Sequence, residues 1–393
     1  CEFVCLGDEV DSNFLDGYKE CWTQALGWNE RDFEEPSVLE IWDCRSKDSL
    51  IHEGKIKFTD LNEEDLDVKD DERPGLSRSQ RQWLQVRMGR NEIDFEDHLD
   101  STGLRAEMDS WNYPLHFIDF ETTAVALPFT RGCRPYEAVA FQFSHHKIDE
   151  GGQVEHSDQY LNTNIGEFPN FEFIRCLRDV LDGDSGTIFR YGDHENTYLN
   201  HIHQQILNSK EGINDGQSLC EFIKSISRSS SSTDGVWVGQ REMVDLLYLA
   251  KRYYYNRETR GSNSIKDLFP AVLNSSEFLK QKYSLPIYGS DSGIRSLNFR
   301  DWTWVKIEDG RVIDPYSRLP KLFTEASEKD NEVLSHTNEI DEGGAAMTAY
   351  AMLQFTGMGA CERNELRQGL LRYCELDTLA MAMIFEAWCD RVG

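Results

Sequence analysis

An aspartate sits in the middle of an apolar helical stripe near the end of the chain, and few folds accommodate such a residue. Over residues 366–388, Leu370, Tyr373, Cys374, Asp377, Ala380, Met381, Ile384 and Trp388 recur at three- and four-residue steps. That spacing predicts a long helix with one buried face. Asp is a poor helix-interior residue and a poorer one on a buried face. No break that would make Asp377 an N-cap occurs here. A buried salt bridge or a functional site is left to explain it. Tyr373 lies one turn earlier, so its hydroxyl projects towards the same spot.

A second pair of acids has the same character. Leu115-His116-Phe117-Ile118-Asp119-Phe120-Glu121 reads as a central strand with buried faces. Asp119 and Glu121 stand two residues apart and therefore share one face of it. Two carboxylates converging from a rigid strand are what a hard divalent cation needs. Solvated acids at a strand end are the plainer alternative. A third acid is expected after the strand predicted at residues 187–191, where Asp193 and Glu195 stand at a strand-to-helix junction. Either one could instead complement the helix dipole.

The order of elements supports one α/β domain over residues 111–393. Strands are expected at 115–121, 138–144 and 153–161, a helix at 168–181, a strand at 187–191, and helices at 195–207 and 243–254. Three strands followed by alternating helices and strands predict a mixed β-sheet flanked by helices. Insertions are expected near 208–236, which includes a serine-rich run, and near 274–345, which reads as mostly irregular. Residues 1–110 read as a small, charge-rich, cysteine-containing extension with one clear helix near 76–90. The chain opens at Cys1 rather than Met, as expected of a piece of a longer protein or a processed product.

The formal charge of −29 argues against a chain that coats nucleic acid through a general positive field. Residues 1–110 hold 29 acidic and 13 basic side chains, against 41 and 28 in residues 111–393. The acidic extension is therefore a candidate surface for protein partners. One positive stretch stands out: residues 241–273 carry six bases against four acids. Within it Arg252, Tyr254, Arg257 and Arg260 interleave cations with aromatic rings, a pattern that can grip a single strand. A helix end with buried tyrosines fits it equally well. Ser264 is a candidate N-cap, with Lys266 behind it as a candidate phosphate ligand. The Gly261-to-Lys266 run lacks P-loop spacing. His145 and His146, adjacent and so pointing to opposite strand faces, are expected at the surface.

No apolar run approaches a membrane span and no secretory signal is visible. The ten scattered cysteines fit a reducing cytoplasm, the expected location. Cys1, Cys5 and Cys21 are candidate ligands for zinc or an iron–sulfur cluster, with Cys44 or a residue elsewhere as the fourth; unliganded cysteines are the alternative.

Taken together, Asp119-x-Glu121, the acid before a helix, and Tyr373-x-x-x-Asp377 resemble the DEDDy exonucleases. More closely, residues 114–393 resemble the bacterial family DUF2779, a predicted RNase H-like nuclease. The resemblance is carried by the stretch from Phe117 to Thr122, by Arg134 to His145, by Gly261 to Lys266 and by Tyr373 to Met381. It implies an RNase H-like fold and assigns the third acid to Glu195, at the end of Tyr191-Gly192-Asp193-His194-Glu195; Asp193 is the runner-up. It implies that Asp119, Glu121, Glu195 and Asp377 hold two Mg²⁺ or Mn²⁺ ions about 4 Å apart, with Tyr373 orienting the attacking water. The implied activity is 3′→5′ exonuclease cleavage of single-stranded DNA or RNA ends, in DNA repair or defence against phage DNA. An inactive RNase H-like module that binds nucleic acid or scaffolds a complex is the alternative. The cysteines before residue 22 resemble the joint that follows a RecB/Cas4-like region in such proteins.

Overall fold

The strand predicted around Asp119 is Leu115–Thr123 (β1), and every residue in it except Asp119 is buried in the computed structural model, which describes residues 16–209, 212–230, 235–321, 343–354 and 357–393. Val139–Ile148 (β2) and Val154–Leu161 (β3) continue from it as an antiparallel meander. After the helix Asn170–Leu181 (α1), the short strand Ile188–Arg190 (β4) returns parallel to β1. The helices His194–Leu207 (α2) and Gly216–Ile226 (α3) then lead to Val244–Asp245 (β5), parallel to β4. The result is a five-stranded mixed sheet in the order β3-β2-β1-β4-β5. Such a sheet needs cover on both faces to bury its apolar strands.

Side-chain alternation divides β1 between two environments. Ile118 and Phe120 join Phe143 and the apolar faces of α1, α2 and α3 in one core, with Phe173, Leu177, Leu199, Ile202, Leu219 and Ile223. Asp119 and Glu121 point the other way, in register with Ser144 and Gln142 of β2. That face is covered by the C-terminal helix Ala360–Val392 (α6): Gln142 donates to the Leu370 carbonyl at 2.7 Å, and Ser144 and His146 meet Thr378 at 2.8 and 2.7 Å. The helices Ile265–Ser275 (α4) and Gly343–Leu353 (α5) pack beside α6.

Two sequence expectations are corrected here. Residues 216–226 lie within the expected insertion but form α3, a core helix, because Leu219, Phe222, Ile223 and Ile226 supply an apolar stripe at helical spacing. His145 and His146 are buried rather than superficial. They do face opposite ways: His145 meets His116 at 2.9 Å, while His146 meets Thr378 and, at 2.9 Å, Tyr288. Polar partners on both sides of the sheet make their burial tolerable.

The chain divides into two compact units, one of residues 1–103 with 250–263, the other of 104–249 with 264–393. The sheet and α6 belong to the second. The first has its own core of Val38, Ile41, Leu50, Phe58, Leu61 and Val86, and a cluster of Tyr18, Trp22, Trp28 and Phe33. Its helix Arg78–Gly89 matches the one expected near 76–90. Among the described residues no helix is long and apolar enough to cross a membrane.

Candidate functional site

Three segments of the second unit bring acids together. β1 contributes Asp119 and Glu121. The turn after β4 delivers Glu195 in the first turn of α2, with Arg190 holding that turn in shape. The buried Arg190 guanidinium bonds the Gly192 carbonyl and pairs with Asp193 at 3.0 Å and Asp245 at 3.6 Å, while Gly192 N–H donates to Asp245 at 2.9 Å. Gly192 adopts φ +91°, a conformation that side chains rarely tolerate. α6 contributes Tyr373 and Asp377, one helical turn apart. Glu121, Glu195, Asp377 and Tyr373 are all buried, and Asp119 is half-buried.

Asp193, the runner-up for the third acid, is oriented differently. Its side chain is 64% exposed and paired with Arg190 and Arg228. Glu195 is 1% exposed, and its Oε2 has no hydrogen-bond partner among the described residues. The structure thus brings Glu195, and not Asp193, to the buried cluster.

The electrostatics are those of acids crowded together out of water. Burial, then the charges of Asp377, Glu195 and Glu121, hold the Asp119 carboxyl well above its ordinary range. Burial and Asp377 do the same to Glu121, against the Lys266 ammonium. Burial pushes Glu195 up to about 8, although its own and the Phe120 backbone N–H groups and Arg190 favour the anion. Asp377 is raised by burial despite Lys266 and hydrogen bonds from Tyr316 and Tyr373. At neutral pH such a cluster shares protons unless cations replace them.

Neighbouring groups complete the site. Tyr316 donates to Asp377 Oδ1 at 2.6 Å, and Lys266 Nζ lies 4.0 Å and 4.4 Å from the ring centres of Tyr316 and Tyr373. Ser264 does cap α4, accepting from the Lys266 N–H, which fixes where Lys266 leaves the helix. Cys374 Sγ is 3.7 Å from Asp119 Oδ2, and ligand atoms of Asp119, Glu121 and Cys374 lie within 4.8 Å of one another. Beside them α6 buries Glu375, bonded by Tyr288 and Asn298 at 2.6 Å each, by Ser296, and by His156 at 3.1 Å. Burial favours its neutral form, but His156 and these donors hold its pKa below the usual value. It is an anchored anion, unlike the crowded acids next to it. Sequence reasoning missed Tyr316, which carries no local signal. It also missed Arg190, whose signal was a lone cation in an apolar strand.

The other nominated residues lie elsewhere. Arg252, Tyr254, Arg257 and Arg260 belong to the first unit. Arg252 is buried in an ion pair with Asp71 at 2.7 Å and bonds to the Pro74 and Arg73 carbonyls. Tyr254 is buried, and its carbonyl accepts from Arg81. Arg257 donates to Asn91 and the Ile93 carbonyl; Arg260 is exposed, its carbonyl accepting from Gln85. Most of the expected strand-gripping stretch is therefore engaged in holding the first unit together. Cys21 is exposed and Cys44 buried. Neither joins a group of prospective metal ligands among the described residues, while Cys1 and Cys5 lie outside those residues.

With this geometry in place, comparison with known proteins adds one finding. Residues 116–264 match the family model of a domain of unknown function, DUF2779. Asp119, Glu121 and Glu195 lie inside the matched stretch; Tyr373 and Asp377 lie beyond it. No curated protein and no solved structure matches the chain.

Proposed function

We propose that the second unit is an RNase H-like, DEDDy-type nuclease domain that hydrolyses phosphodiester bonds from the 3′ end of single-stranded DNA or RNA, using divalent cations. One observation carries the reading: four acids from a strand, a helix start and a second helix are crowded together with raised pKa values, although several of them accept hydrogen bonds. Ordinary cores do not collect four carboxylates in one place, because their mutual repulsion and burial destabilise the fold unless cations bind.

The residues fit such ions. All four are hard oxygen donors on rigid elements, as Mg²⁺ or Mn²⁺ requires, and Glu195 Oε2 is a buried acceptor in need of a partner. When bound, two such ions lower the pKa of a coordinated water and stabilise a leaving 3′ oxygen. The chain's own groups have separable roles. Burial and neighbouring anions push the Tyr373 hydroxyl up, so it stays protonated; with its hydrogen on Asp377, its oxygen accepts from and orients the attacking water. Tyr316 holds Asp377 Oδ1 in one direction. Lys266, on the faces of both tyrosines, supplies a cation for the phosphate of the substrate.

The test is cleavage of 3′- and 5′-labelled single-stranded DNA and RNA with Mg²⁺, Mn²⁺ or EDTA, comparing wild type with Asp119→Asn and Asp377→Asn. Metal-dependent release of mononucleotides from the 3′ end, lost in both variants, is expected. Cleavage that persists in EDTA or in either variant would sink the reading. So would no cleavage under any metal by a protein that still binds the strand, which would leave an inactive binding module.

A further inference from the structure

The loop joining β1 to β2, residues 124–138, leaves the sheet two residues after Glu121. At ~3.3 Å per residue its root stands about 7 Å along the strand from that carboxylate's backbone. It is a built loop. Phe129 packs edge-on against Tyr350 of α5 at 5.9 Å, Thr130 donates to the Glu167 carbonyl at 3.1 Å, and the Tyr136 N–H closes the loop on the Val125 carbonyl at 2.9 Å.

From this fixed frame an unusual set of side chains faces water. Leu127 is 85% and Tyr136 72% exposed. The Arg134 side chain is 83% exposed, touching Glu137 only at 4.0 Å. Arg131 is exposed and has no partner among the described residues. The loop's one acid is turned inward: Glu137 is 19% exposed and accepts from the Arg134 N–H and from Gln205. Tyr136 holds φ +59°, a left-handed conformation uncommon for a bulky residue. Its ring stands largely in solvent. In a chain of net charge −29, Arg131, Arg134 paired only at 4.0 Å and an exposed ring, all on the loop that continues the Glu121 strand, form a local exception to the overall field.

We propose that this loop is the surface that receives the single-stranded nucleic acid, with Arg131 and Arg134 on its phosphates and Tyr136 stacked on a base, in place of the basic stretch at 251–260. The proposal rests on the nuclease reading above for its direction: it places the grip on the same unit as the carboxylates. Guanidiniums paired with an exposed ring, on no broad apolar surface, suit a strand of stacked bases and phosphates better than a protein partner.

The experiment uses the full chain in an Asp119→Asn background, so that the strand survives. Binding of a fluorescein-labelled oligo(dT) of about 20 nucleotides, enough to span such sites, is followed by anisotropy across a salt series. Arg131→Glu with Arg134→Glu is expected to weaken binding about ten-fold or more and to reduce the log–log salt slope by roughly 1.4, two contacts at ~0.7 each. Arg131→Lys with Arg134→Lys retains the slope. Tyr136→Ala loses about five-fold or more. Circular dichroism confirms that each variant is folded. If wild type cleaves oligonucleotides but the Glu and Ala variants bind like their parent, this proposal alone is overturned. If loop variants lose binding while wild type cleaves nothing, the surface stands and the catalytic reading falls. A parent that binds no strand overturns this proposal, and overturns both if wild type also cleaves nothing.

Discussion

Replacing Glu195 by Gln removes a buried charge that its few donors only partly compensate, so its effect on stability appears as pH rises and fades in acid. Burial raises the Glu195 carboxyl from an ordinary 4.5 to about 8. The folded protein therefore holds a proton that the unfolded chain releases between those values. Stability of the metal-free protein falls as pH rises from about 4.5 through about 8, then levels. At ~1.4 kcal/mol per unit the whole shift corresponds to roughly 5 kcal/mol. Relaxation and coupling to neighbouring acids reduce what Glu195 alone contributes to roughly half of that. Glu195→Gln in EDTA should then raise the melting temperature at pH 8.5 by roughly 5–10 °C and change it little at pH 5, where the wild-type acid is already neutral. Mn²⁺ should reverse the ranking at pH 8.5, stabilising wild type more than the variant, because cations replace the protons that burial retains. The assay is thermal unfolding followed by circular dichroism at both pH values, with EDTA or Mn²⁺. A variant less stable than wild type in EDTA at pH 8.5 would refute the reasoning, since Glu195 would then be a satisfied structural acid.

Other consequences can be checked alongside. Asp193→Asn, which removes an exposed partner of Arg190 and Arg228, should cost less than about 1 kcal/mol and keep nuclease activity within about two-fold, whereas Glu195→Gln should lose about a hundred-fold or more; equal losses would reinstate Asp193. Tyr316→Phe deletes a 2.6 Å hydrogen bond to a buried carboxylate and should lower kcat about ten-fold, roughly the 1.4 kcal/mol expected of a charge-assisted bond, with the fold intact by circular dichroism. Arg190→Met leaves Asp245 without its buried partner and should destabilise the second unit by about 3 kcal/mol or more, read as a lower urea midpoint. Burial lowers the His116 pKa to about 4, so the folded state resists a proton that the unfolded chain accepts below about 6.5. Stability from this site is lost as pH falls from 6.5 towards 4, and His116→Asn should flatten that limb of the urea-midpoint profile.

Where the physics was local, the sequence was readable. β1 and α6 follow from side-chain period alone, and Asp377 was conspicuous because one acid interrupted an apolar stripe. α3 was equally periodic but overlooked beside the serine-rich run that follows it. Long-range pairing escaped: nothing local says that Tyr316 reaches Asp377 across 61 residues, or that residues 250–263 leave the unit that surrounds them in sequence. The basic–aromatic stretch looked available because composition does not distinguish a cation facing water from Arg252 in its buried pair with Asp71. Residue type alone left Asp193 and Glu195 open and the family resemblance favoured Glu195; the structure adds that Glu195 is buried while Asp193 faces Arg190 and Arg228.

The central claim is that the crowded carboxylates exist to hold divalent cations, and counting bound Mn²⁺ by electron paramagnetic resonance tests it most directly. Wild type at pH 8 should bind two Mn²⁺ ions with the spin-coupled signal of neighbouring ions, as expected for centres about 4 Å apart. Asp119→Asn and Asp377→Asn should each abolish the coupled signal. A wild-type protein that leaves millimolar Mn²⁺ free in solution, or variants that bind it as wild type does, would contradict the account.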